Sequence, residues 1–193
     1  MNPTGTHSDP RIARSRRRGR EAALAELAAR GLGGFTIESV AARAGLGKST
    51  IYRLWGDRRA LVLDALEELN RQPRPEPDGA MGRARVEELL IHLTEAWGLG
   101  SPTGDVLPAL VDAAERDPEL GRALGRYSQQ RMAALVAAVA EAVGLGEARP
   151  DIEPELAARA LAGAVLHARL LGRRPFPPGD VASLVDLVLG PAA

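Results

Sequence analysis

Residues 36–55 read Thr36-Ile37-Glu38-Ser39-Val40-Ala41-Ala42-Arg43-Ala44-Gly45-Leu46-Gly47-Lys48-Ser49-Thr50-Ile51-Tyr52-Arg53-Leu54-Trp55. Gly45 separates two short helical runs, Ile37 to Ala44 and Gly47 to Trp55, as glycine does where a chain must pass through a positive φ. Thr36 is a residue type that caps a helix N-terminus. Ala41 is the small residue at which the two helices touch, and Val40, Ala44, Ile51 and Leu54 fill the space between them. The pattern predicts a helix-turn-helix, with helices crossing at about 90–120°. The second helix turns Lys48, Ser49, Thr50, Tyr52 and Arg53 outward. Cations among hydrogen-bonding groups suit base edges in a major groove and the phosphates beside it.

Working outward, residues 1–9 have the composition of a disordered arm. A helix is expected from Pro10, with Ala23, Leu24, Leu27 and Ala28 on one face and Gly31, Gly33 and Gly34 ending it. Its first turns carry Arg11, Arg14, Arg16, Arg17, Arg18 and Arg20, which fit a solvated helix start and a contact to DNA equally well. Asp57 can cap a fourth helix reaching about Asn70. Pro73, Pro75 and Pro77 then alternate through 72–79 and mark the clearest boundary in the chain. Further helices are expected at 81–98, 105–116, 118–144, 153–172 and 179–189, with Pro102, Pro108, Pro118, Pro150 and Pro154 at or near their ends. The division that follows is an arm at 1–9, a DNA-binding domain at 10–56, a connecting helix and linker at 57–80, and a second helical domain at 81–193.

Composition supports an all-α fold. Among 193 residues, alanine (34) and leucine (27) dominate, and helices accept both. Cysteine is absent, which excludes disulfides, thiolate metal sites and cysteine nucleophiles. The net charge of zero conceals a split: residues 1–60 hold 12 basic and 5 acidic side chains, and the remainder holds 13 and 20. One end is therefore suited to a polyanion. The longest strictly apolar run, Met132 to Ala140, is too short to span a bilayer, and no secretory signal is visible, so a cytoplasmic protein without a membrane partner is expected. Ala42 to Ser49 approaches a phosphate-binding loop, but no alternation of strands and helices surrounds it. His7, His92 and His167 are scattered without paired carboxylates, which predicts no metal site, no catalytic residues, no cofactor and no enzyme. His92 is expected to be exposed.

Phe35 to Leu61, through Thr36, Val40, Ala41, Gly45, Lys48, Tyr52 and Arg58, resembles the DNA-binding domain of TetR-type transcriptional regulators. With the preceding helix, the resemblance covers about a third of the chain; Arg149 to Ala157 and beyond resembles one C-terminal class of that family less specifically. The resemblance implies that Thr36 and Arg58 hold phosphates, that Lys48 reaches a base edge or phosphate, and that Ser49, Thr50 and Tyr52 touch bases or backbone. Gly47, Arg53 and Trp55 stand where the family often has serine, histidine and phenylalanine.

The last two helices are apolar nearly all round and need cover on two sides. A homodimer interface is expected through Leu156, Ala160, Gly163, Ala164, Val181, Leu184, Val185 and Val188. An apolar effector cavity is expected in the second domain, lined by Trp97, Tyr127 and His167, with the fourth helix coupling it to the DNA-binding end. These expectations describe a dimeric repressor released from a palindromic double-stranded operator by a small hydrophobic molecule. The alternative is an architectural DNA-binding protein without a ligand.

Overall fold

The computed structural model describes residues 9–71 and 79–191, and among these there are nine α-helices, a single 3-10 turn and no strand. They are α1 (Pro10–Gly34), α2 (Ile37–Ala44), α3 (Lys48–Trp55), α4 (Arg58–Arg71), α5 (Gly82–Ala96), α6 (Pro102–Arg116), α7 (Pro118–Gly144), α8 (Pro154–Leu170) and α9 (Val181–Leu189). The all-α expectation is met. The expected arm, apart from Asp9, and the proline alternation at 73–77 lie outside the described residues.

Four helices begin by one chemical device. Asp9, Ser101, Asp117 and Glu153 each place a side-chain oxygen on free N–H groups of the first turn, and a proline follows at once. The cap satisfies donors that no helical carbonyl can reach, and the proline lacks a donor where one would be wasted. α1 breaks at Gly31, where φ is 62°, before a last short turn leads into Phe35.

Pro108 departs from expectation. It lies inside α6, which starts at Pro102 and not near 105. A proline here removes the N–H that would bond the carbonyl of Gly104 and crowds that carbonyl. Gly104 O is instead satisfied from outside its helix, by Arg169 Nη2 of α8 at 2.6 Å. A guanidinium on another helix thus replaces the missing bond.

Among the described residues there are two apolar cores. The first joins α1–α4 to α6 and the first half of α7, through Leu27, Phe35, Ile51, Leu61, Val106, Leu110 and Leu120. The second joins α5, the second half of α7, α8 and α9, through Val86, Leu90, Leu135, Leu161 and Val185. The 27-residue α7 contributes to both and runs from one to the other. Arg83 ties the start of α5 to the far end of the second core, donating to the carbonyl of Gly190 and pairing with Asp186 of α9.

Several residues sit elsewhere than expected. Val181 and Val185 are buried inside the protomer, Val185 at 0% exposure, so they belong to its own core and not to a face offered to a second copy. The reason is rotational: α9 turns Val181, Val185 and Leu189 toward α5 and α8 and leaves Leu187 79% exposed. Leu184, Val188 and Ala164 are partly buried; on the outer side of α8, Leu156 is 64% exposed, with Ala160 and Gly163 also exposed. His167 is exposed and not among apolar groups, whereas His92 is half-buried.

Candidate nucleic-acid interface and internal cavity

The helix-turn-helix is built as its sequence predicts. Thr36 Oγ1 accepts the N–H of Ser39 at 3.1 Å and starts α2. Gly45 ends it at φ 60°, ψ 40°, and the N–H of Leu46 closes on the carbonyl of Ala41 at 2.9 Å. Any other L-residue at that φ carries a steric cost. Ile37, Val40, Ala41, Ala44, Ile51 and Leu54 are buried against Leu27 and Phe35 of the first core. Lys48, Ser49, Tyr52 and Arg53 are exposed, Tyr52 at 50%, and Thr50 is half-buried.

Tertiary structure adds partners that spacing did not reveal. Lys48 Nζ lies 2.7 Å from Glu38 Oε1 of α2. The hydrogen bond from Lys48 holds the Glu38 carboxyl below its ordinary range. Both groups are more than half exposed, so water screens the pair and it is easily exchanged for another. Arg58 Nη1 donates to the carbonyl of Phe35 at 3.0 Å, and its guanidinium lies 5.9 Å from the Phe35 ring centroid. It therefore fixes the residue just before Thr36.

The arginines at the start of α1 divide. Arg16 and Arg20 turn inward onto Asp64 of α4, at 3.4 and 2.9 Å, and Arg20 also pairs with Glu68 at 2.8 Å. Trp55 Nε1 donates to the same Asp64 oxygen at 2.7 Å. Burial alone would raise the Asp64 carboxyl, but hydrogen bonds from Arg20 and Trp55 and the charges of Arg20 and Arg16 outweigh it and hold it below its usual value. Trp55 is accommodated by Gly19, where a Cβ would lie 2.9 Å from Cζ3 and closer still to Cη2 of the indole. Arg11 and Arg14 remain exposed on the outside of α1. Glu26, 2% exposed, pins α1 to α2 through Arg43 at 2.7 Å. Hydrogen bonds from Ser39 and Arg43 keep its carboxyl low despite burial.

A cavity of about 410 Å³ lies between α5, α6, α7 and α8. Trp97 and Tyr127 line it, as expected, together with Met132 and Arg131. His167 does not. Its neighbour Leu166 faces the space instead, because one residue turns a helix by about 100°. Arg131 lies one helical turn beyond Tyr127, and that spacing is the signal which could have found it. The cavity wall touches the DNA-binding end directly. Arg131 Nη2 donates to the carbonyl of Leu69 near the end of α4. At the other end of α4, Arg59 pairs with Asp117 and Glu119 at 2.6 and 2.9 Å, where α6 passes into α7. Among the described residues no group of three or more His, Asp or Glu could hold a metal ion, and no helix is long and apolar enough to cross a membrane.

Residues 20–65 match the family described as bacterial regulatory proteins, tetR family, and residues 76–188 match the tetracyclin repressor-like C-terminal domain. The DNA-binding transcriptional repressor TetR of Mycobacteroides abscessus is 31% identical over 158 residues, 80% of this chain and 81% of that protein. Several solved structures share the fold, two of them with a bound small molecule. One is FadR of Bacillus subtilis in complex with stearoyl-CoA, with TM-score 0.72, 14% identity, and coverage of 91% of this chain and 98% of that one. The other is a transcriptional regulator of Saccharomonospora viridis in complex with choline, with TM-score 0.73, 18% identity, and coverage of 90% and 94%. With the exposed face of α3, the left-handed turn at Gly45 and matches over residues 20–65 and 76–188, the chain belongs to the TetR family of DNA-binding transcriptional regulators.

Proposed function

We propose that this regulator is a homodimeric repressor that leaves a palindromic operator when a small, largely apolar effector fills the cavity. The observation that carries the reading is the bonding of α4 at both ends to the helices that form the cavity wall, by Arg131 to Leu69 and by Arg59 to Asp117. A ligand that repositions α7 must move α4, and with it the spacing of two recognition helices. In this reading Lys48 exchanges Glu38 for a base or phosphate. Ser49, Thr50, Tyr52 and Arg53 meet bases and backbone, and Thr36 and Arg58 hold phosphates beside the α2 N-terminus. The second copy covers the outer side of α8 and the exposed Leu187 of α9. FadR and the choline-bound regulator support a ligand role for this helical layout, and their dissimilar ligands indicate that the cavity's own side chains decide which molecule enters.

Selection from a random duplex library tests the DNA half. The selected site should be a near-palindrome with half-sites about one helical turn apart, bound on the order of 10³-fold or more tighter than random duplex at one salt concentration. Equal affinity for both would favour the architectural alternative. Leu187→Glu should yield monomers in light scattering with helical content intact, and an unchanged dimer would place the interface elsewhere.

A further inference from the structure

Arg131 is the side chain of the cavity with unfinished bonding. Its guanidinium lies 5.4 Å from the Tyr127 ring centroid, and Nη2 donates to the carbonyl of Leu69. Its Nε is buried and has no acceptor. Among the described residues, no carboxylate lies within ion-pair distance of it. The walls beside it, Leu89, Leu93 and Trp97, are apolar, and the one acid at the rim, Glu115, is exposed to water. A half-buried cation with a buried, unpaired Nε in such surroundings gains from an anion that completes its bonding.

The bond to Leu69 has its own logic. Leu69 is among the last residues of α4, and the residue four further on is Pro73, which has no N–H to offer. The Arg131 guanidinium supplies that missing donor, and its positive charge suits a helix C-terminus. Nη2 and the unsatisfied Nε form one edge of the guanidinium. Because Nε is buried, a carboxylate can take that edge with two parallel hydrogen bonds only if the guanidinium turns toward the cavity, and that turn draws Nη2 away from the Leu69 carbonyl.

We infer that the effector is an apolar carboxylate whose head pairs with Arg131, and that this pairing withdraws the guanidinium from the end of α4. The inference rests on the effector reading above and adds to it a ligand class and the first bond broken in the switch. Decanoate, decanol and decylamine share one chain and differ in head charge, so they serve as probes with the full-length protein, by calorimetry and by tryptophan fluorescence. Decanoate should bind at least about tenfold tighter than either analogue. In Arg131→Gln the ratio of decanoate to decanol affinity should fall to near one. Arg131→Lys, which keeps the charge without the fork, should hold an intermediate ratio. Backbone amide exchange in the last turn of α4 should speed up when decanoate, but not decanol, is bound. If decanol binds as tightly as decanoate, or decylamine more tightly, the carboxylate assignment falls while the effector cavity stands. Exclusion of all three probes would overturn the cavity reading as well. Tight decanoate binding with unchanged exchange in α4 would overturn the proposed loss of the Leu69 bond.

Discussion

Gly19→Ala should change sign with the residue at position 55. Gly19 lies inside α1, where alanine is normally the better helix former by about 1 kcal/mol. Here a Cβ would lie 2.9 Å from Cζ3 and 3.2 Å from Cζ2 of Trp55, within the space of the indole's six-membered ring. The indole has little freedom to retreat, because its Nε1 is held by Asp64 at 2.7 Å and Arg16 lies over its ring at 5.7 Å. Forcing a methyl group into such a site costs about 1–3 kcal/mol, so Gly19→Ala in the native background should range from nearly neutral to about 2 kcal/mol destabilising. Phenylalanine lacks the three indole atoms that approach Gly19. In a Trp55→Phe background the crowding disappears, and the same Gly19→Ala change should stabilise by about 1 kcal/mol. Trp55→Phe alone should lower stability, by about 1.5–3 kcal/mol for the lost bond to the Asp64 carboxylate. Thermal unfolding of the four proteins at one protomer concentration measures the coupling, expected at about 1–3 kcal/mol. Each kcal/mol should appear as roughly 2–4 °C in a chain of this size. If Gly19→Ala raises the melting temperature equally in both backgrounds, Gly19 is not kept by the indole and the reasoning is wrong.

Acid should weaken the junction of α1, α3 and α4. The Asp64 carboxyl is held low in the folded state, so its stabilisation is present above its unfolded pKa of about 3.9 and is lost as pH falls through the lower folded value. The stability gap between wild type and Asp64→Asn, from urea unfolding, should narrow below about pH 4, and a constant gap would refute the ion-pair account. Arg169→Ala should cost about 1.5–3 kcal/mol through the unpaired Gly104 carbonyl, and less in a Pro108→Ala background where a backbone N–H returns to that carbonyl. Equal losses in both backgrounds would separate Arg169 from the proline. Glu38→Gln should tighten binding to the selected operator a few-fold by releasing Lys48 and removing a negative charge, whereas Lys48→Ala should weaken it by about 1–3 kcal/mol. Anisotropy titrations at fixed salt decide, and weaker binding by Glu38→Gln would mean that Glu38 itself contacts DNA.

The sequence alone determined the elements whose causes are local. Thr36, Ala41 and Gly45 specify the helix-turn-helix because a cap, a close helix contact and a positive φ each restrict residue type over a few positions. Prolines placed after capping residues mark helix starts for the same reason. The spacing of Val181, Leu184, Val185 and Val188 marks an apolar face, but a helix apolar on several sides does not state which side meets its own protomer, and the packing of α5 and α8 buries Val181, Val185 and Leu189. Tertiary structure also decided that Pro108 could remain inside α6, since the donor that permits it comes from a residue 65 positions from Gly104. His167 and Leu166 exchanged roles because the rotation of α8 is set by its neighbours. Glu38 beside Lys48, Asp64 beneath Trp55 and Arg131 at the end of α4 are pairings between helices. Their geometry depends on how those helices cross, which no local pattern of residues encodes.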